Sequence, residues 1–155
     1  MCMSYRILFV CLGNICRSPT AEAVTRAKAA ERGLDVVVDS AGTGSWHLGK
    51  PPYAPMQATA RAKGYDLSAL RARLVTEADF SDFDLIIVMD KDNAADLAAI
   101  GPSDRLRLFT DYAPESGASY VPDPYFTRDF DGALALIEDC AEGLLAKLER
   151  RADQV

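Results

Sequence analysis

A chain of 155 residues, 49% hydrophobic and 26% charged, has the composition of a globular domain; it is long enough for one buried core and too short for two comfortable ones. Its 17 Lys and Arg against 23 Asp and Glu give a net charge of −6, which argues against nucleic acid as the partner, because phosphate-backbone binding relies on a basic surface. No signal-peptide pattern opens the chain and no stretch approaches a membrane span. A cytoplasmic, monomeric protein of one domain, residues 1–155, with no membrane partner is therefore expected. Cys2, Cys11, Cys16 and Cys140 then read as reduced thiols and not as a disulfide framework.

Tyr5 to Val10 reads as a buried first strand, and Pro19 to Arg32 as a helix closed by Gly33, with Ala21, Val24 and Ala27 or Lys28 on its inward side. Asp35 to Ser40, with three consecutive valines, reads as a second strand, so the opening is a βαβ unit with a parallel pair. Ala41 to Pro55 is a Gly, Ser and Pro-rich loop. Its Gly42-x-Gly44 invites a dinucleotide reading, but His47 stands at the third glycine position, and that reading is rejected. Trp46 has two readings here, a packing residue or a wall beside a ligand, since ligands bind beyond the carboxyl ends of parallel strands.

Met56 to Lys63 reads as a second helix stopped by Gly64, Tyr65 to Leu74 as irregular chain, and Thr76 as the start of a brief turn before Phe83. Asp84 to Met89 is a continuous apolar run, the pattern of a central strand covered on both faces. Asp90 then caps a helix from Lys91 to Ile100, Gly101-Pro102 breaks it, and Leu106 to Phe109 supplies a fourth strand. Asp111 to Arg128 reads as irregular. From Phe130 the stripe Leu134, Ile137, Ala141, Leu144, Leu145 and Leu148 marks a long last helix, with Cys140 beside it as a small buried residue. The alternation predicts a three-layer, flavodoxin-like α/β domain with a four-stranded parallel sheet in the order 2-1-3-4.

The stretch Cys11-Leu12-Gly13-Asn14-Ile15-Cys16-Arg17-Ser18-Pro19 lies between the first strand and the first helix. A loop in that position gathers backbone N–H groups, and the helix adds its positive dipole end, which suits a phosphate. Cys11 stands at its mouth, where the same donors favour the nucleophilic thiolate. Arg17 brings a planar fork for phosphate oxygens. Ser18 can cap the helix, with Pro19 at its first position, and can hydrogen-bond the Cys11 sulfur. Gly13 and Asn14 tolerate left-handed turns. Cys11 and Cys16 could also be a metal pair, but no second Cys/His pair accompanies them and His47 is the one histidine; no metal is expected. Expelling an alkoxide or phenolate needs a proton donor, and Asp123, between Pro122 and Pro124 and followed by Tyr125 and Phe126, is a candidate as well as an ordinary turn starter.

Cys-x5-Arg-Ser after an N-terminal strand, spelled CLGNICRSP, resembles the signature of the low-molecular-weight protein tyrosine phosphatases, and Asp123-Pro124-Tyr125 is similar to that family's second signature. The resemblance spans the chain from Tyr5 to the last helix. It implies a cysteine-dependent phosphatase that hydrolyses phosphotyrosine or small aryl phosphate esters through a phosphocysteine, with Cys11, Arg17 and Asp123 catalytic. Leu12, Gly13, Asn14, Ile15, Cys16 and Ser18 would form the phosphate-binding loop, and Trp46, Tyr125 and Phe126 the walls. It implies no cofactor, and either a shaping or a protective redox role for Cys16. One position departs: Leu70 stands where the family commonly carries a histidine, so Asn14 and Ser18 are expected to lack that support. Two rivals remain. An arsenate reductase of the same fold needs further thiols beyond the third strand, where the Met89 to Ile100 segment has none. A phosphate- or phosphopeptide-binding module predicts a missing nucleophile, arginine or acid.

Overall fold

Ile7-Leu8-Phe9-Val10 is apolar at every position because both of its faces are covered. In the computed structural model, which describes residues 4–153, Ile7 and Phe9 pack with Ile87, Met89, Phe109 and the last helix. Leu8 and Val10 pack on the opposite side with Ile86, Val88 and Leu97. A strand sampled from both faces needs no polar alternation, so a buried parallel sheet reads as a continuous apolar run. Cys2 lies outside the described residues.

Strand β1 (Tyr5–Cys11) runs parallel to β2 (Val36–Gly42) on one side and to β3 (Leu85–Val88) on the other, and β3 pairs with β4 (Leu106–Leu108). The order is β2-β1-β3-β4, as the alternation of elements predicts. Register places Cys11 opposite Gly42 and Val10 opposite Val88, so the carboxyl ends of these three strands share one edge. The helices are α1 (Arg17–Arg32), α2 (Ala54–Ala62), α3 (Asp79–Asp82), α4 (Lys91–Ile100), α5 (Pro124–Thr127) and α6 (Phe130–Asp153). No helix among the described residues is long and apolar enough to cross a membrane.

Three local expectations need correction. Helix α1 begins at Arg17, with Cys16 and not Ser18 in the capping position, and Cys16 makes no side-chain cap bond. Pro19 thus falls at the third helical position. That costs nothing, because the first N–H groups of a helix have no partner within it. The stretch 111–128, expected to be irregular throughout, contains a 3-10 turn at Pro114–Ser116 and the short helix α5. Gly13 does not adopt a left-handed conformation; Asn14 does, at φ 55°.

The stripe on α6 is buried at Leu134, Ile137, Ala141, Leu144 and Leu145, and Cys140 is fully buried beside it. Along its flank, Lys28 donates to Glu142 at 2.7 Å, and Arg32 pairs with both Glu142 and Glu149. These bonds clamp α1 to α6 across the face they share. The hydrogen bond from Lys28 holds the Glu142 carboxyl below its ordinary value of 4.5. A carboxylate lowered in this way stabilises fully above that value and ceases to stabilise as pH falls through the lowered one. Glu142→Gln should therefore cost roughly 0.5–1 kcal/mol in urea unfolding at pH 7, since the group is half exposed and screened. The difference from the native chain should shrink as pH falls below 4.5 and through the lowered value.

Candidate active site

The loop from Leu12 to Cys16 is held from outside by its carbonyl and side-chain groups, which leaves backbone amides available. Thr43 and Gly44 donate their amides to the carbonyls of Cys11 and Leu12 at 3.0 and 2.9 Å, and Tyr53 donates to Ile15 at 2.8 Å. The amides of Gly13, Ile15 and Cys16 have no protein acceptor among the described residues. Gly42 lets the next strand approach this closely, because a Cβ there would stand 2.9 Å from the Leu12 carbonyl oxygen and 3.2 Å from the Asn14 nitrogen. A Cβ on Gly44 would overlap the Trp46 ring. The glycine pair that mimics a dinucleotide motif thus serves the packing of this loop.

The Cys11 sulfur sits 3.0 Å from the Ser18 hydroxyl and accepts the Asn14 amide at 3.3 Å. Both contacts suit negative charge on sulfur. The Asn14 side chain donates to Ser18 Oγ at 2.8 Å and to Ser40 Oγ at 3.0 Å, and its oxygen accepts the Arg73 amide at 3.0 Å. Ser40 in turn donates to the buried Glu22 at 2.7 Å. Arg73 is anchored between Asp39 and Asp79. The support expected to be missing opposite Leu70 is therefore supplied by Ser40 and by a backbone amide, while Leu70 itself packs on the core.

Arg17 is 3% exposed in its side chain and donates Nη1 to Asp90 at 2.7 Å and to the Val121 carbonyl at 3.0 Å. Its Nη2 lies 3.4 Å from Asp123, and its buried Nε has no partner among the described residues. Burial opposes the charge, but Cys11, Asp90 and Asp123 outweigh it and raise the pKa above that of an ordinary arginine. Asp123 caps α5 by accepting the Tyr125 amide at 3.1 Å. Its segment is tied to the end of β3, because Val121 donates to the Met89 carbonyl at 2.8 Å.

Asp90 does two things. Its Oδ1 caps α4 by accepting the Asn93 amide at 2.8 Å, as its sequence position predicts. Its Oδ2 also orients Arg17, and no local pattern signals that contact because the two residues lie 73 positions apart.

Cys11, Leu12, Gly13, Ile15, Cys16 and Asp123 line one cleft of about 200 Å³ with Trp46, His47, Tyr125 and Phe126. Larger concavities exist elsewhere, but this one contains the Cys11 sulfur, the Asp123 carboxylate and a ring of aromatic walls. Trp46 is 68% exposed and Phe126 71% exposed, so both stand at the rim of the cleft. Tyr125 stacks near Tyr53 and His47, with centroids 5.2 and 6.2 Å away. His47 is the wall residue that sequence reasoning missed; its place after Trp46 in the same loop was the available signal.

The two loop cysteines differ. Burial, then the charges of Asp123 and Cys11, push the Cys16 thiol up to about 12, so it stays protonated at neutral pH. Burial pushes Cys140 up to about 12 as well, and it lies in the core with no route to the cleft. A relay of thiols from Cys11 outward, which an arsenate reductase would need, is absent among the described residues.

A buried sulfur among hydrogen-bond donors, an arginine with a free edge and a facing carboxylate, on the carboxyl edge of a parallel sheet, define a cysteine-dependent phosphoryl-transfer site. The chain belongs to the low molecular weight phosphotyrosine protein phosphatase family, whose model matches residues 6–154. It is 43% identical over 149 residues to the low molecular weight protein-tyrosine-phosphatase YfkJ of Bacillus subtilis, covering 93% of this chain and 96% of the relative. The crystal structure of YfkJ superposes with a TM-score of 0.93 over 97% of this chain and 98% of that one. A protein tyrosine phosphatase from Entamoeba histolytica, solved with Hepes in its active site, is 36% identical with a TM-score of 0.91, covering 96% and 99% of the two chains.

Asp90→Asn keeps a good helix cap but removes the charge that orients Arg17. Turnover of an aryl phosphate should fall about 10- to 100-fold, while the thermal midpoint shifts by no more than a few degrees. An unchanged turnover would mean that Val121 alone positions the guanidinium.

Proposed function

We propose that this chain hydrolyses phosphotyrosine monoesters in two steps through a phosphocysteine. The observation that carries this reading is one aromatic-walled cleft lined by both Cys11 and Asp123, with Arg17 Nη2 behind it 3.4 Å from the same Asp123. The Cys11 thiolate attacks phosphorus, and the bond from phosphorus to the phenolic oxygen breaks. Asp123, as the acid, delivers its proton to that oxygen. The unpartnered Nε of Arg17 and the free loop amides hold the phosphoryl oxygens while charge redistributes among them. In the second step the Asp123 carboxylate takes a proton from water as the water oxygen attacks phosphorus. The sulfur–phosphorus bond breaks, phosphate leaves and the thiolate is restored.

The ring walls favour an aryl ester. A flat ring can lie against Trp46, His47 and Tyr125, whereas phosphoserine would leave those faces uncovered. A thiolate nucleophile needs reducing surroundings, and the cytosol is the setting we propose for it.

Leaving-group dependence tests these assignments. Cys11→Ser should abolish turnover of p-nitrophenyl phosphate. Asp123→Asn should lower kcat about 10²- to 10⁴-fold for a phosphotyrosine peptide, the range for general acid catalysis. The loss should be much smaller for p-nitrophenyl phosphate, whose leaving group needs little protonation. Equal losses on both substrates would remove Asp123 as the acid, and activity in Cys11→Ser would remove the phosphocysteine.

We also assign Cys16 a protective role. Peroxide converts the Cys11 thiolate to a sulfenic acid; the Cys16 thiol then displaces hydroxide at that sulfur, forming a disulfide and water. Brief peroxide treatment should be fully reversed by dithiothreitol in the native chain and substantially irreversible in Cys16→Ser. Equal recovery in both would leave Cys16 a shaping role only.

A further inference from the structure

A second cationic site lies at the opposite edge of the sheet. Arg105 and Arg107 at β4 and Lys147 and Arg151 on α6 line a cleft of about 440 Å³ at the amino ends of the strands. Each of these cations is held by neutral groups. Arg105 donates to the Phe83 carbonyl at 2.8 Å, and Arg107 to the carbonyls of Leu106 and Asp104 at 2.7 and 3.0 Å. Lys147 lies over the Tyr112 ring at 5.6 Å and Arg151 over the Tyr5 ring at 5.4 Å. None of the four has a carboxylate partner among the described residues, whereas Arg17, Arg26, Lys28, Arg32 and Arg73 each have one.

Two carboxylates, Asp84 and Asp104, also line the cleft, and Asp84 accepts the Arg6 amide at 2.8 Å. Four cations against two acids leave a local positive excess in a chain whose net charge is −6. A general basic surface does not explain such an excess; a concave site that gathers cations and fixes them by uncharged contacts attracts an anion. Guanidinium forks with unused edges suit phosphoryl oxygens, and the volume is that of a small-molecule site and not of a flat macromolecular face.

We propose that this cleft binds a small anion carrying two or more linked phosphoryl groups, free or attached to a nucleoside. It is independent of the catalytic loop: Tyr5 and Cys11 stand at opposite ends of β1, seven residues long, which separates the sites by roughly 20 Å at the usual rise per residue.

Isothermal titration with inorganic triphosphate, and separately with ATP, in the presence of a chelator tests this in the native chain and in Arg107→Glu/Lys147→Glu. The double variant should bind one triphosphate fewer per chain, and its kcat/KM for p-nitrophenyl phosphate should stay within about twofold, which also reports that it has folded. Lys147→Gln, a milder change, should weaken the same binding event at least several-fold. Tighter binding of ATP would identify a nucleoside polyphosphate, and equal binding the phosphate chain alone. Identical stoichiometry and affinity in native and variant chains would overturn the proposal, as would triphosphate binding that is wholly competitive with the aryl phosphate.

Discussion

The left-handed turn at Asn14 is the constraint on which the site depends. At φ 55° its own amide folds back to 3.3 Å from the Cys11 sulfur, while its side chain reaches Ser18, Ser40 and the Arg73 backbone. A non-glycine residue in this region is strained, and asparagine tolerates it best because its short amide can bond locally. Here those bonds connect the loop to β2 and to the segment after α2. The conformation that presents the sulfur is therefore fixed by tertiary structure.

Arg17 plays the same part between the first and last thirds of the chain. It joins the N-terminus of α1 to Asp90 after β3 and to Val121 and Asp123 before α5. A guanidinium buried this deeply would be costly alone, because removing a charge from water must be offset by close opposite charge. Asp90 offsets it and spends only one of the two terminal nitrogens. Nε remains without a protein partner among the described residues, so the charge is compensated while that edge stays available to a ligand. The same geometry explains why cap and arginine partner coincide in one aspartate: Asp90 follows β3, and the carboxyl edge of the sheet is where helix starts and bound anions both collect.

Charge is distributed unevenly over a chain that is acidic overall. Some cations are neutralised in place, as along the α1–α6 flank where Lys28 and Arg32 face Glu142 and Glu149. Positive character without a carboxylate partner occurs in the cleft between β4 and α6, whereas in the catalytic loop it comes from backbone amides and a compensated arginine. An anion is thus drawn by local geometry at each end of the sheet and not steered by the whole surface.

The residues alone determined the strand order and the family signature, with its loop cysteine and an aspartate 112 positions later in the chain, because these depend on local signals. Continuous apolar runs mark strands covered on both faces, and short motifs carry their own chemistry. Tertiary structure alone decided what those residues touch. It made Asp90 an arginine partner as well as a cap, placed His47 in the wall and replaced the support expected opposite Leu70 with Ser40 and the Arg73 amide. It also moved the start of α1 to Arg17 and gave the Gly42-x-Gly44 pair a packing role. The contacts of Arg17 with Asp90, of Asn14 with Ser40 and Arg73, and of Gly42 with the loop join segments far apart in sequence, and pattern and propensity report only what a residue requires of its near neighbours.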